Sequence, residues 1–306
     1  MAASKEASKK TTMPIEDFMI KVFLIVDEFL KENDLEDVRE RGPSPKIADS
    51  ETITMEIVGE SLGYESDKRI HQYFKTNWLP WFPRLGSRSS FVRQTANLWK
   101  IKERIHMHLT SLCGGNVGPF LFDGFPIPIR SLQRLMQSQN FRAEGAVGYC
   151  AAKDEKYFGF KGHLLVNAQG CPLRLGLSAA NIDEREILPR LTHGLFGDII
   201  ADKGLIGEMV SDELAVQAIK LHTPLRKNMQ ETRSQEFIKA LMSMRKRVEV
   251  TISQLVGRFN IQKIKAKDFW HLSAKVGRKL LAFTTCFCIN KELNPEHPLQ
   301  FNRLFT

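Results

Sequence analysis

The chain has 306 residues, 42% hydrophobic and 26% charged, which are globular values that exclude a long disordered polymer. Its formal net charge of +9 is unevenly spread: residues 1–115 carry 17 basic and 17 acidic side chains, whereas residues 220–280 carry 15 against 4. A chain of this length is expected to fold as two domains, and so concentrated a basic run, though it could be only a solvated face, favours a polyanion-binding surface.

In chain order, residues 1–12 (MAASKEASKKTT) are polar and basic with no apolar stretch behind them, and read as a disordered tail rather than a leader. Residues 13–34 have helical periodicity through Phe18, Val22, Ile25, Val26 and Phe29, with Pro14 in the first turn followed by Glu16 and Asp17. Arg41-Gly42-Pro43-Ser44-Pro45 reads as a linker. A second helix is expected from Asp49 or Ser50 to Gly63, and a short third over Ile70–Phe74 capped by Asp67. The prolines of Trp78-Leu79-Pro80-Trp81-Phe82-Pro83 interrupt the helical pattern. Ser89 or Ser90 then opens one long helix through Phe91, Ala96, Leu98, Trp99 and Ile105. Residues 13–112 are thus expected to form an all-helical module.

The pattern changes at Gly114-Gly115. Strand-like runs follow at 118–123, 157–167 and 171–179, the last two joined by a Gln169-Gly170 turn. A helix begins after Asn181, which reads as its cap, with Asp183, Glu184 and Glu186 as an acidic first turn. Strands are expected at 196–201 and near Ile219–Thr223, and long helices over 235–258 and 268–289. This order predicts an α/β fold, a mixed sheet covered by helices over residues 116–292, with a tail at 293–306. The five cysteines are scattered without zinc-like spacing and are expected to be free thiols of a reducing, cytoplasmic compartment.

Three carboxylates stand out. Asp123 interrupts the apolar run Phe120-Leu121-Phe122-Asp123-Gly124-Phe125, where burial of a charge is costly unless it is paired or bound to metal. Asp202 follows Ile199-Ile200-Ala201 and so falls at a strand end, which favours it over Asp198. Glu249 lies beside the apolar stripe Val248, Ile252, Leu255, with Arg245 four residues before it. Such a set offers hard oxygen ligands for two Mg²⁺ or Mn²⁺ ions in phosphoryl transfer on nucleic acid, and the absence of a tight His/Cys set argues against zinc. Each has a plainer alternative: a turn cap for Asp123, an ordinary Asp-Lys-Gly turn for Asp202, an intrahelical ion pair for Glu249. Lys203, Arg226, Lys227, Arg245, Arg258, Lys263 and Lys265 are the basic side chains expected to meet DNA phosphates. His163, in an alternating strand, is a weaker candidate for a phosphate contact.

With their surroundings, these residues resemble the DDE transposases of bacterial insertion sequences, of the insertion-sequence 982 type. The likeness extends to Ala48-Asp49-Ser50-Glu51-Thr52-Ile53-Thr54-Met55-Glu56, Trp78-Leu79-Pro80-Trp81-Phe82-Pro83, Phe91-Val92-Arg93-Gln94-Thr95-Ala96-Asn97-Leu98-Trp99 and Tyr149-Cys150-Ala151-Ala152-Lys153. It continues through Tyr157–His163, Ala179–Glu186, Thr223–Met229 and Ala266–Leu272, and covers residues 15–290. The resemblance implies a ribonuclease H-like catalytic core with Asp123 on its first strand, Asp202 after its fourth and Glu249 on a later helix. It also implies Mg²⁺-dependent cleavage at element ends and transfer of the 3′-hydroxyls into target DNA by at least a dimer, in a bacterial cytoplasm and on its nucleoid. Related transposases place a tyrosine, an arginine and a lysine around the last glutamate. Arg245 fits the arginine, but Met242 and Val256 stand at the other two places, with Arg258 two residues beyond the second.

Overall fold

The computed structural model describes residues 12–35, 45–115, 118–130, 141–150 and 153–305. Residues 1–11 of the expected tail and most of the expected linker lie outside them. Five helices come first: α1 (Ile15–Glu32), α2 (Asp49–Ser61), α3 (Asp67–Asn77), α4 (Arg88–Asn97) and α5 (Trp99–Leu112). The single long helix expected after Ser89 is in fact two, α4 capped by the Ser87 side chain and α5 starting afresh beyond Leu98. Leu98, the residue between them, is buried. The cap of α3 is Ser66, whose hydroxyl accepts from the Arg69 N–H; Asp67, expected in that role, pairs instead with Arg278 and Lys275.

Six strands follow: β1 (Phe120–Arg130), β2 (Ala146–Cys150), β3 (Glu155–Asn167), β4 (Pro172–Ala179), β5 (Gly197–Ile200) and β6 (Ile219–His222). They alternate late with α6 (Glu184–Leu191), α7 (Glu208–Val216), α8 (Gln235–Gly257) and α9 (Phe269–Leu293). The sheet order is β2-β3-β1-β5-β6, with β4 also paired to β3. β1 is antiparallel to β3 and parallel to β5, and β5 is parallel to β6. This is the mixed, helix-flanked sheet of a ribonuclease H-like core. β1 runs past the expected end at Asp123, through Pro126 and Pro128, because beyond Leu121 its ladder is with β3 alone. One open side tolerates residues without an N–H.

Alternation along β1 sends Phe120 and Phe122 to one face, with Leu188, Ile199, Leu214 and Ile219, beneath α6 and α7. Leu121, Phe125 and Ile127 go to the other face, where a single apolar cluster takes in α8, α9 and the five N-terminal helices. The change of secondary structure at residue 113 is therefore not a break in the core. The segment after α9 belongs to it as well: Phe301 and Leu304 are fully buried, and the Met13 N–H donates to the Leu304 carbonyl at 3.0 Å.

Between the N-terminal helices and α9 lies a buried ionic network. Glu56 and Glu60 of α2 meet Lys102 of α5 and Arg278 and Lys279 of α9, with Lys102–Glu56 at 2.8 Å and both Arg278–Glu60 and Lys279–Glu60 at 2.6 Å. Although burial opposes it, Arg278 and Lys275 hold the Asp67 carboxyl down to about 2. Cys113 and Cys288 form a disulfide joining the end of α5 to α9, contrary to the expectation of five free thiols. They are 175 residues apart in sequence, and only the packing of the two helices brings them together.

Candidate active site

Asp123 occupies the centre of the sheet because β1 is its middle strand, on the side of β1 that faces α8. Its carboxylate accepts the Gly124 N–H at 2.8 Å. Burial pushes its pKa up to about 6; the Gly124 N–H opposes this, the Glu184 and Asp202 carboxylates add to it, and Arg245 opposes it. Asp123, Asp202, Glu184 and Arg245 therefore share one electrostatic neighbourhood.

Asp202 directly follows the buried Ile200 and Ala201 at the end of β5 and opens a short 3₁₀ turn, Lys203–Leu205. α8 reaches it because Leu241, Val248, Thr251 and Leu255 bury one face of that helix. The Thr251 hydroxyl also donates to the Gly170 carbonyl at 2.8 Å. Arg245, on the flank of the same helix, puts Nη2 2.9 Å from Asp202 Oδ1 and 3.9 Å from Glu249 Oε1. The guanidinium thus bridges the second and third carboxylates. Asp198, the rejected alternative, lies near the start of β5, four residues before Asp202, and is 2.7 Å from His222 Nε2.

Among the described residues, no group of three or more His, Cys, Asp or Glu side chains is closed upon a common point that would hold a metal ion. Positive charge between Asp202 and Glu249 is supplied by Arg245 instead. The donor chemistry nevertheless fits a hard divalent cation: oxygen ligands only, and a carboxylate raised by burial and then by its acidic neighbours, which a cation would relieve.

The basic side chains fall into distinct settings. Lys203, Arg226, Lys227 and Lys265 are exposed. Lys263 is exposed too and pairs with Glu65 at 3.4 Å. Arg258 is half-buried and committed to packing: its Nε donates to the Ser61 carbonyl at 3.0 Å and its guanidinium lies 5.0 Å from the Phe305 ring centre. Lys275, Arg278 and Lys279 contribute to the basic excess of residues 220–280 but belong to the ionic network, so the solvent-facing excess is smaller than the sequence suggests. His163 is fully buried, with Nε2 2.7 Å from the Ser178 hydroxyl and its ring stacked on Phe122, out of reach of a phosphate.

One residue of the neighbourhood was not singled out from sequence. Glu184 reads as part of an acidic first turn; the cap is Asp183 rather than the expected Asn181, accepting the Arg185 N–H at 2.9 Å. Glu184 instead reaches across Gly124: a Cβ on that glycine would stand 2.3 Å from Glu184 Oε1. A glycine in a buried strand beside an acidic residue is the sequence signal of such a close approach. Lys161 lies 3.5 Å from the same oxygen.

Residues 116–268 match the family model described as a transposase DDE domain. No curated protein matches the chain, and no solved structure does.

Proposed function

The chain belongs to the DDE transposase family, and on that premise we propose that it cleaves DNA at the ends of an insertion sequence of the 982 type and joins the 3′-hydroxyl ends to target DNA. The observation that carries this reading is the convergence of Asp123 and Asp202 from β1 and β5, with Arg245 bridging Asp202 to Glu249. The motifs between residues 15 and 290 support the finer assignment within the family.

Asp123, Asp202 and Glu249 would hold Mg²⁺, or Mn²⁺ in its place, in a two-ion arrangement. When bound, these ions supply an activated attacking oxygen and offset charge on the leaving oxygen. Arg245 orients Asp202 and Glu249 through its paired nitrogen, and so fixes two acids on separate elements relative to each other. Lys203, next to Asp202, and the exposed Arg226, Lys227, Lys263 and Lys265 would hold the phosphate backbone, which positions DNA without reading its sequence. Cutting two ends in coordination calls for at least a dimer in the DNA complex. No helix among the described residues is long and apolar enough to cross a membrane.

Purified protein incubated with labelled element ends and Mg²⁺ tests the reading. Asp123→Asn, Asp202→Asn and Glu249→Gln are each expected to lose at least about 10³-fold in end cleavage while retaining DNA binding. Full activity in any one removes that residue from the centre. Cleaved ends without joined donor–target products would leave a nuclease that does not transfer strands.

A further inference from the structure

The helical N-terminal third is neutral in total, but its charges are segregated. Residues 68–100 hold seven basic side chains and no acidic one. Lys68, Arg69 and Lys75 lie on α3, Arg84 on the connection to α4, Arg88 and Arg93 on α4, and Lys100 at the start of α5; all seven are exposed. Among the described residues none of them forms an ion pair, whereas the run 220–280 gives up Lys275, Arg278 and Lys279 to the buried network. The two helices are fixed to each other. Buried His71 of α3 donates Nε2–H to the Gly86 carbonyl at 3.0 Å, and its ring lies 5.8 Å from that of Phe91 on α4. Gln94 of α4 donates to the Ile47 carbonyl at 3.0 Å and to the Asp49 carboxylate at 2.6 Å. With Phe91, Gln94 and Thr95 buried, Ser89, Arg93 and Asn97 stand four residues apart on the opposite face of α4, all exposed. Among the described residues, none of these three side chains has a hydrogen-bond partner. On α3, by contrast, the Gln72 and Asn77 amides are already engaged, with the Thr76 hydroxyl at 2.8 Å and the Tyr73 carbonyl at 2.9 Å.

We propose that α4 is the helix that reads the ends of the element: it lies in the major groove of duplex DNA, with Arg93 and Asn97 meeting base edges and Arg84, Arg88 and Lys100 meeting the phosphates on either side. This rests on the transposase reading given above. Arginine and asparagine present the paired donors and acceptors that match guanine and adenine in that groove. The groove, about 12 Å wide, admits a single helix, and the ten residues of α4 span about 15 Å. The exposed lysines and arginines of the catalytic part cannot do this work alone, because phosphate contacts carry no sequence information. The proposal thus names the surface by which the chain tells an element end from other DNA.

The test is fluorescence anisotropy of the full-length protein with two labelled duplexes, one carrying the terminal inverted repeat of the element and one its scrambled sequence, over a range of salt. Circular dichroism on each variant establishes folding. Arg93→Met and Asn97→Ala should each cut the preference for the end duplex at least about fivefold. Arg84→Met and Arg88→Met should weaken both duplexes alike, each lowering the slope of log affinity against log salt by about one. Wild-type preference in the double variant Arg93→Met, Asn97→Ala would overturn the assignment of α4 and leave the proposed function standing. A wild-type chain that binds the two duplexes equally would overturn both. Should Arg93→Met not fold, Arg93→Lys decides, since it keeps the charge and loses the paired donors: reduced preference supports the assignment and unchanged preference overturns it.

Discussion

At the scale of single residues, Gly124 links the backbone of the central strand to the chemistry beside it. In Gly124→Ala the new methyl meets the tip of a flexible side chain, not backbone, so Glu184 swings aside. The lost, partly exposed contact with Lys161 is small, and alanine is favoured over glycine in a strand, so stability should stay within about 1 kcal/mol of wild type. A melting curve of the variant beside the wild type checks this. Asp123 was legible in the sequence because a charge in an apolar run is anomalous. Glu184 was not, because an acid in the first turn of a helix is ordinary, and its destination depends on where α6 docks. Arg258 misled in the opposite direction. A basic residue at the end of a basic helix suggests DNA, whereas packing sends its guanidinium to Ser61 and Phe305.

At the scale of elements, α9 is joined to α2 and α5 by charge as well as by apolar surface. Arg278 is 3% exposed and serves Glu56, Glu60 and Asp67 together. Replacing it with methionine strands acidic groups in the interior, and a loss of about 3–5 kcal/mol is expected in chemical denaturation. An unchanged denaturation midpoint would show that the network is dispensable. Helices with a strong one-sided stripe, such as α1 and α8, were legible from periodicity. β2 and α7 were not: β2 holds one fully buried position, Gly148, and α7 buries Val210 and Leu214 alone. The far half of β1 was hidden by its prolines, which are admitted only because β5 pairs with the strand no further than Leu121.

At the scale of the molecule, the apolar cluster that spans the helical N-terminus, one face of the sheet and the C-terminal segment predicts one cooperative unfolding transition rather than two. The terminal segment also braces the helix of Glu249: Gln254 donates to the Leu299 carbonyl at 3.2 Å, and Leu299 packs against Gly170. Ending the chain after residue 293 removes Phe301 and Leu304 from the core. A loss of at least about 4 kcal/mol is expected, together with weaker end cleavage. A truncated chain with the wild-type melting temperature and rate would contradict that bracing. The two-part organisation read from secondary structure could not reveal this continuity, because composition reports local pattern and the core is assembled from distant segments.

The ionic network has a further consequence for how the protein is made. Glu56 and Arg278 are 222 positions apart, so at about 5–20 residues per second the ribosome delivers the arginine about 10–45 s after the glutamate. Lys102 reaches Glu56 early, but throughout that interval Glu60 has neither Arg278 nor Lys279 to neutralise it, and α2 cannot settle into a dry interior. The first-synthesised helices must therefore wait for the last, and a prematurely terminated chain would be left open to proteases along its entire N-terminal third.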